Sequence, residues 1–354
     1  MKVAIDLGPP DADFDLRLRY ALEAERLGVE MVWTAEAWGY DAATPLAYLA
    51  AKTERIRLGT GIMQIGARTP AMTAMTALTL AALSHNRFVL GLGVSGPQVM
   101  EGWHGVPFSH PLERTREFLE IVRIITRGER LIYSGEIYQV PLPGGEGKAL
   151  VPGATPQPSL AIYLASLGPK NLELTGALAD GWLGTSFIPE QARMYFDPIE
   201  RGAQSAGRSL AALDLQVNAG VAAFSDDVER LIPPRKPGLA FTLGAMGSRR
   251  HNFYNAVYRR AGYTDLAEQV QTLWLNRQRE AAAALIPDDL VLKTNLIGTP
   301  EMVLERLRTH ARAGVTTLRV ATEGDSVSER VATLGQLLDL VEKVNAEDTV
   351  QNDR

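Results

Sequence analysis

The chain contains no cysteine. That removes disulfides, thiolate metal sites and a cysteine nucleophile, and it leaves the redox compartment open. No sign of charge dominates either: 36 Lys and Arg are interleaved with 41 Asp and Glu. A net charge of −5 spread this way offers no electrostatic footprint for nucleic acid or an anionic membrane. No apolar run approaches the length of a membrane span. The start, MKVAIDLGPP, reads as a strand and is too short and acidic for a signal segment, so a cytoplasmic protein is expected. The five histidines, His85, His104, His110, His251 and His310, are scattered without zinc spacing, and no metal is expected. Neither a G-x-S-x-G elbow nor a Walker loop occurs.

What is present is an alternation of short β-runs and helical patterns through 354 residues. Strands are expected at Lys2–Leu7, Met31–Ala35, Ile56–Ile65, Arg87–Val94, Leu160–Ala165, Gly181–Ser186, Leu213–Phe224 and Thr317–Thr322. Helices are expected between them, among them Thr44–Thr53 with Thr44 as N-cap, Pro70–Ser84, Pro169–Leu178, Asp265–Ala284 and Val327–Val344. Eight such alternations predict an α/β protein, a single (β/α)8 TIM barrel with insertions in its βα loops. One domain is expected over 1–345, followed by a polar tail at 346–354. Residues 230–263 are the least regular stretch, punctuated by Pro and Gly and carrying Arg235, Lys236, Arg249 and Arg250; they are the lid candidate.

Barrel enzymes build their sites where the strands end. The first strand ends at Asp6, and the second runs into Glu36 and Trp38. The third passes through Gly59 and Gly61 to Ile62, Met63 and Gln64, and the fourth ends in Ser95, Gly96 and Pro97. The fifth leads into Ala165, Ser166, Leu167, Gly168 and Pro169, and the sixth into Thr185 and Ser186. Glycines late in the third strand signal either a packing bulge or the close approach of a flat ligand, and the ligand is the favoured reading. Gly91–Gly96 satisfies G-x-G-x-x-G but lacks its context, because a fourth strand precedes it and no helix follows directly. Ala165–Pro169 opens a helix whose first amides suit a phosphate, with Ser166 adding a hydroxyl; an ordinary barrel turn is the competing reading.

LGTGI in the third strand, GLGVSGP in the fourth, ASLGPKNLELTGALADGW and IGTPEMVLERLRTHARAGVTTLRV together resemble the luciferase-like superfamily on its coenzyme F420-dependent side. Methylenetetrahydromethanopterin reductases are the relatives it most resembles. The resemblance implies a non-prolyl cis bond at Gly61–Ile62, with Ile62 against the rear face of a deazaflavin. It implies that Gly61, Gln64, Ser95, Gly96, Pro97 and Val99 line the ring and its chain, and that Ala165, Ser166, Leu167, Gly168 and Pro169 take the phosphate. Glu36 and Asp6 are the catalytic acids it suggests; Trp38, Thr185 and Arg249 fall on the substrate side. Many members carry a histidine after that first acid, where this chain has Ala37. Their proton chemistry therefore does not transfer directly.

The expected activity is hydride transfer between reduced F420 and a small organic acceptor, as a homodimer. Two alternatives are an FMN-dependent monooxygenase on the same fold and a flavin- or deazaflavin-binding protein without turnover.

Overall fold

The computed structural model describes residues 1–7, 13–246 and 252–352. All eight expected strands form: β1 (Lys2–Asp6), β2 (Met31–Thr34), β3 (Arg57–Thr60), β4 (Phe88–Gly93), β5 (Ala161–Ala165), β6 (Gly181–Gly184), β7 (Asp214–Phe224) and β8 (Thr317–Thr322). The six residues of β4, FVLGLG, are all buried. Such a continuous apolar run is what a parallel strand covered on both faces requires.

The chain divides into two compact units. One comprises Trp33–Trp182 and Pro198–Leu213. In it β3 pairs β4, β4 pairs β5, and β5 meets the start of β6, all in parallel. A short segment, Met63–Gln64, resumes the β3 line beside Leu92 and Gly93. Trp33, Leu58, Leu90, Ile162, Leu164 and Trp182 form its core with Phe118 and Val122 of helix Pro111–Thr126. A Cβ on Gly59 would lie 2.3 Å from the Trp33 ring. That glycine therefore serves packing, which corrects its reading as a ligand-facing residue.

The other unit comprises Met1–Val32, Leu183–Asp197 and Asp214–Arg354. Here β1 pairs β8 and β8 pairs β7, with an irregularity between Asn218 and Val221. A three-residue strand that the sequence reading missed, Leu296–Gly298, extends the sheet beside the end of β7. The stretch expected to be irregular is largely helical: Val228–Leu231, Lys236–Gly244 and Phe253–Arg260. Asn252 caps the last of these by accepting the Asn255 amide at 2.9 Å. Leu243, Tyr258, Val270 and Leu290 bury the group in a core of its own.

Three boundaries also move. Asp41, not Thr44, satisfies the second helix's first amides, accepting those of Ala43 and Thr44 at 2.8 Å each. The helix expected over 265–284 is two, Thr264–Leu275 and Arg279–Ala284, separated at Arg277 with φ 61°. The last helix, Val327–Asn352, continues through the stretch expected as a tail.

Candidate active site

The end of β3 is where the backbone departs most from a plain ladder. The Gly61–Ile62 peptide is cis. Thr60 bridges the interruption with its side chain: its hydroxyl donates to Gly91 O and accepts from Gly91 N, both at 2.9 Å. On the other side, Gly61 N donates to Thr34 O at 2.6 Å and Glu36 N to Ile62 O at 3.2 Å. Every polar group of the turn that these bonds reach is thus satisfied without regular pairing.

Glu36 ties the surrounding loops together. Its carboxylate accepts the Gln64 amide at 2.8 Å and the Ala42 amide at 3.2 Å, and it forms an ion pair with Arg68. The side chain is 8% exposed. A carboxylate holding two amides and a guanidinium is an anchor for the loops it joins. Glu36, nominated from the sequence as a general acid, is thus bound to three donors here. Gln64 is equally committed: its side-chain nitrogen donates to Glu36 O and Ala37 O at 3.2 and 3.1 Å, and its oxygen lies 2.8 Å from His104 Nε2. Gln64 is buried, so its part is to join loops.

Above this knot lies an apolar cradle. A Cβ added to Gly93 would stand 3.1 Å from Ile62 Cδ1 and 3.5 Å from Ala165 Cβ. The ends of β3, β4 and β5 therefore converge on one surface made of Ile62, Gly93 and Ala165, kept thin by the glycine. Ser95 follows with φ 59°, turning the chain into the short helix Pro97–Met100, whose Gly96 carbonyl accepts the amides of Val99 and Met100. Met100 Cε occupies the space a Gly66 Cβ would need. Ser95, Gly96, Pro97 and Val99 remain partly exposed beside the cradle. So do Leu167 and Gly168, while Pro169 is exposed and opens helix Pro169–Leu178, which no side chain caps. A thin apolar floor beside an uncapped helix start fits a planar ring that carries an anionic tail.

Ser166 departs from expectation. Its hydroxyl lies 2.8 Å from that of Thr175, which donates to Asn171 O, so Ser166 spends its proton inside the fold. Its carbonyl accepts Trp182 Nε1–H at 3.0 Å. Trp38 and Trp103 are both more than half exposed in the loops after β2 and β4.

In the other unit, Asp6 accepts Arg319 Nη2 at 2.8 Å. Arg319 is buried in β8, and nothing in its local sequence marked it. Thr185 and Ser186 line a cavity of about 500 Å³ with Asn218, Arg235, Tyr258 and Asn295. Arg235 pairs with Glu323 there at 2.9 Å. Arg249 lies outside the described residues. Among the described residues no group of three or more His, Asp or Glu could hold a metal ion, and no helix is long and apolar enough to cross a membrane.

Residues 2–317 match the family model described as luciferase-like monooxygenase. A Mycobacterium tuberculosis protein named as a coenzyme F420-dependent oxidoreductase, Rv3520c, is 40% identical over 96% of this chain and 99% of its own. The 5,10-methylenetetrahydromethanopterin reductase of Archaeoglobus fulgidus is 29% identical over 89% of this chain and 92% of its own. The solved coenzyme F420-dependent tetrahydromethanopterin reductase from Methanopyrus kandleri superposes with a TM-score of 0.80 at 25% identity, covering 95% of this chain and 97% of that one. With parallel strands alternating with helices in both units and these matches spanning the chain, the protein is a (β/α)8 barrel that belongs to the luciferase-like family, on its F420-dependent oxidoreductase branch.

Proposed function

We propose that this chain is an F420-dependent oxidoreductase that passes hydride between reduced deazaflavin and a small organic acceptor with an imine-like, carbonyl or activated C=C carbon. The observation that carries the reading is the cradle, in which Ile62 lies across Gly93 beside Ala165. Ile62 would back the ring, Ser95, Gly96, Pro97 and Val99 would flank it, and the loop from Ala165 to Pro169 would take the phosphate through backbone groups. When bound, the coenzyme supplies the hydride. The protein orients two stacked partners and excludes water.

Trp38 is assigned to the mouth of the site. A cytoplasmic homodimer completes the proposal. Helix Pro70–Leu83 supports it, having no charged residue and leaving Met72, Met75 and Leu83 more than half exposed. Light scattering at micromolar protein is expected to give twice the 38.5 kDa chain mass, and a monomer would remove that part of the proposal.

Paired fluorescence titrations with F420 and FMN test the central reading. Micromolar F420 binding with little FMN affinity is expected. Preference for FMN would favour the monooxygenase alternative, and tight F420 binding without turnover of any acceptor would favour a binding protein.

A further inference from the structure

We propose that His104 is the proton-carrying residue of this site and that Gln64 is the positioning residue that presents it in a single tautomer. The proposal rests on the oxidoreductase reading above. Reducing a C=O, C=N or activated C=C bond requires a proton as well as a hydride. Of the two acids the sequence nominates, Glu36 holds Arg68 and two amides, and Asp6, in the other unit, meets Arg319. His310 is buried with Nδ1 on Arg306 O at 2.9 Å, so it is closed to exchange with a ligand.

His104 is different on each count. It is solvent-exposed in the loop after β4, and its Nε2 lies 2.8 Å from Gln64 Oε1. The orientation of that amide follows from its other partners. The Gln64 side-chain nitrogen faces two carbonyls, Glu36 O and Ala37 O, which only N–H groups can satisfy. Gln64 Oε1 is therefore an acceptor, and His104 Nε2 must carry a hydrogen. Nδ1 is left as the position where the ring gains and loses its proton. The same Gln64 receives support at its backbone N–H from Glu36, whose own N–H holds the carbonyl of Ile62 in the cradle. Ring, amide, carboxylate and cis peptide thus form one hydrogen-bonded chain. Beyond Gln64 the charged groups of this chain are Glu36 and Arg68; on the histidine's own loop Glu101 accepts the Phe108 amide at 3.1 Å.

In the step assigned to it, the imidazolium gives its Nδ1 proton to the acceptor as hydride arrives from the reduced deazaflavin. The Nδ1–H bond breaks and an O–H, N–H or C–H bond forms. The acceptor gains two electrons and two hydrogens, and the coenzyme loses the hydride. Neutral imidazole keeps its Nε2–H on Gln64 and is reprotonated from solvent.

The first test needs no coenzyme. Long-range ¹H–¹⁵N spectra of histidine-labelled protein are expected to show neutral His104 as the Nε2–H tautomer, and Gln64→Leu to give a tautomer mixture. A neutral ring protonated on Nδ1, or spectra unchanged in Gln64→Leu, would overturn the inference while leaving the oxidoreductase reading intact. The second test follows single-turnover oxidation of reduced F420 with cyclohex-2-en-1-one, acetone and 3,4-dihydroisoquinoline as probes of the three acceptor classes. His104→Gln is expected to slow the step about 100-fold and to remove one ionisation from its pH profile, with F420 affinity kept within about two-fold. An unchanged rate and profile would overturn the catalytic role. Wild-type protein that binds F420 but oxidises it with none of the three would instead overturn the underlying oxidoreductase reading, in favour of a binding protein. Failure of wild-type protein to bind F420 at all would overturn that reading too.

Discussion

Glu36 and Asp6 are both carboxylates at barrel strand ends, and each meets an arginine, yet they do different work. Glu36 is 8% exposed and holds Arg68 and two backbone amides, while Asp6 is 27% exposed and holds Arg319 at 2.8 Å. Three donors, from the loops it joins, reach the first. The second, with one bond from Arg319, keeps acceptor capacity at the edge of solvent. How firmly an acid at a strand end is held thus depends on how many donors reach it, which its position in the chain does not say. His310 supplies the third case, a buried ionisable group whose Nδ1 meets the Arg306 carbonyl. It is neutral, because burial lowers its pKa to about 4.

Glu36→Ala is expected to have the largest effect, a loss of about 3–4 kcal/mol in urea denaturation. Arg68 and two amides would be left without their acceptor. A loss below about 1 kcal/mol would mean that Glu36 is no anchor, and the contrast with Asp6 would collapse.

The His310 effect comes next and depends on pH. The unfolded side chain takes up a proton below about 6.5, whereas the folded one does so only near 4. Between those values the unfolded state binds more protons, so this contribution to stability is complete above pH 6.5 and is lost as pH falls toward 4. On the order of 2–3 kcal/mol should separate the ends of that window. Denaturation at pH 7 and pH 4.5 would show it as a difference between wild-type protein and His310→Gln. Equal pH dependence in the two would mean that the ring is protonated in the fold.

Asp6→Asn is the smallest, about 1 kcal/mol, because the carboxylate is partly solvated and Arg319 has further interactions. A loss matching that of Glu36→Ala would make Asp6 an anchor too, and would leave no strand-end acid with spare capacity among those the sequence nominated.

Much of the fold was legible because strands and helices leave local signatures. The run FVLGLG, the Pro70 start with Thr69 before it, and the Gly314 that closes a helix each act within a few residues. The misses are local conflicts that tertiary packing resolved. KPGLAFTLG carries Pro and Gly yet is helical, since Ala240 and Leu243 are fully buried in the core of its own unit. Leu296–Gly298 is too short for any periodicity to register. Gly59 looked like a ligand contact and proved to be the seat of Trp33. The cis Gly61–Ile62 bond was anticipated through resemblance alone, as no propensity rule points to it.

The order of the strands and helices, the lack of thiol chemistry and the set of strand-end loops follow from the sequence, because each depends on composition or on neighbours a few residues apart. Which of those loop residues can act was decided only in three dimensions. Glu36 meets Arg68 across 32 residues, Gln64 meets His104 across 40, and Asp6 meets Arg319 across 313. A side chain's protonation and freedom depend on such partners and on burial, and both arise only when distant parts of the chain pack together.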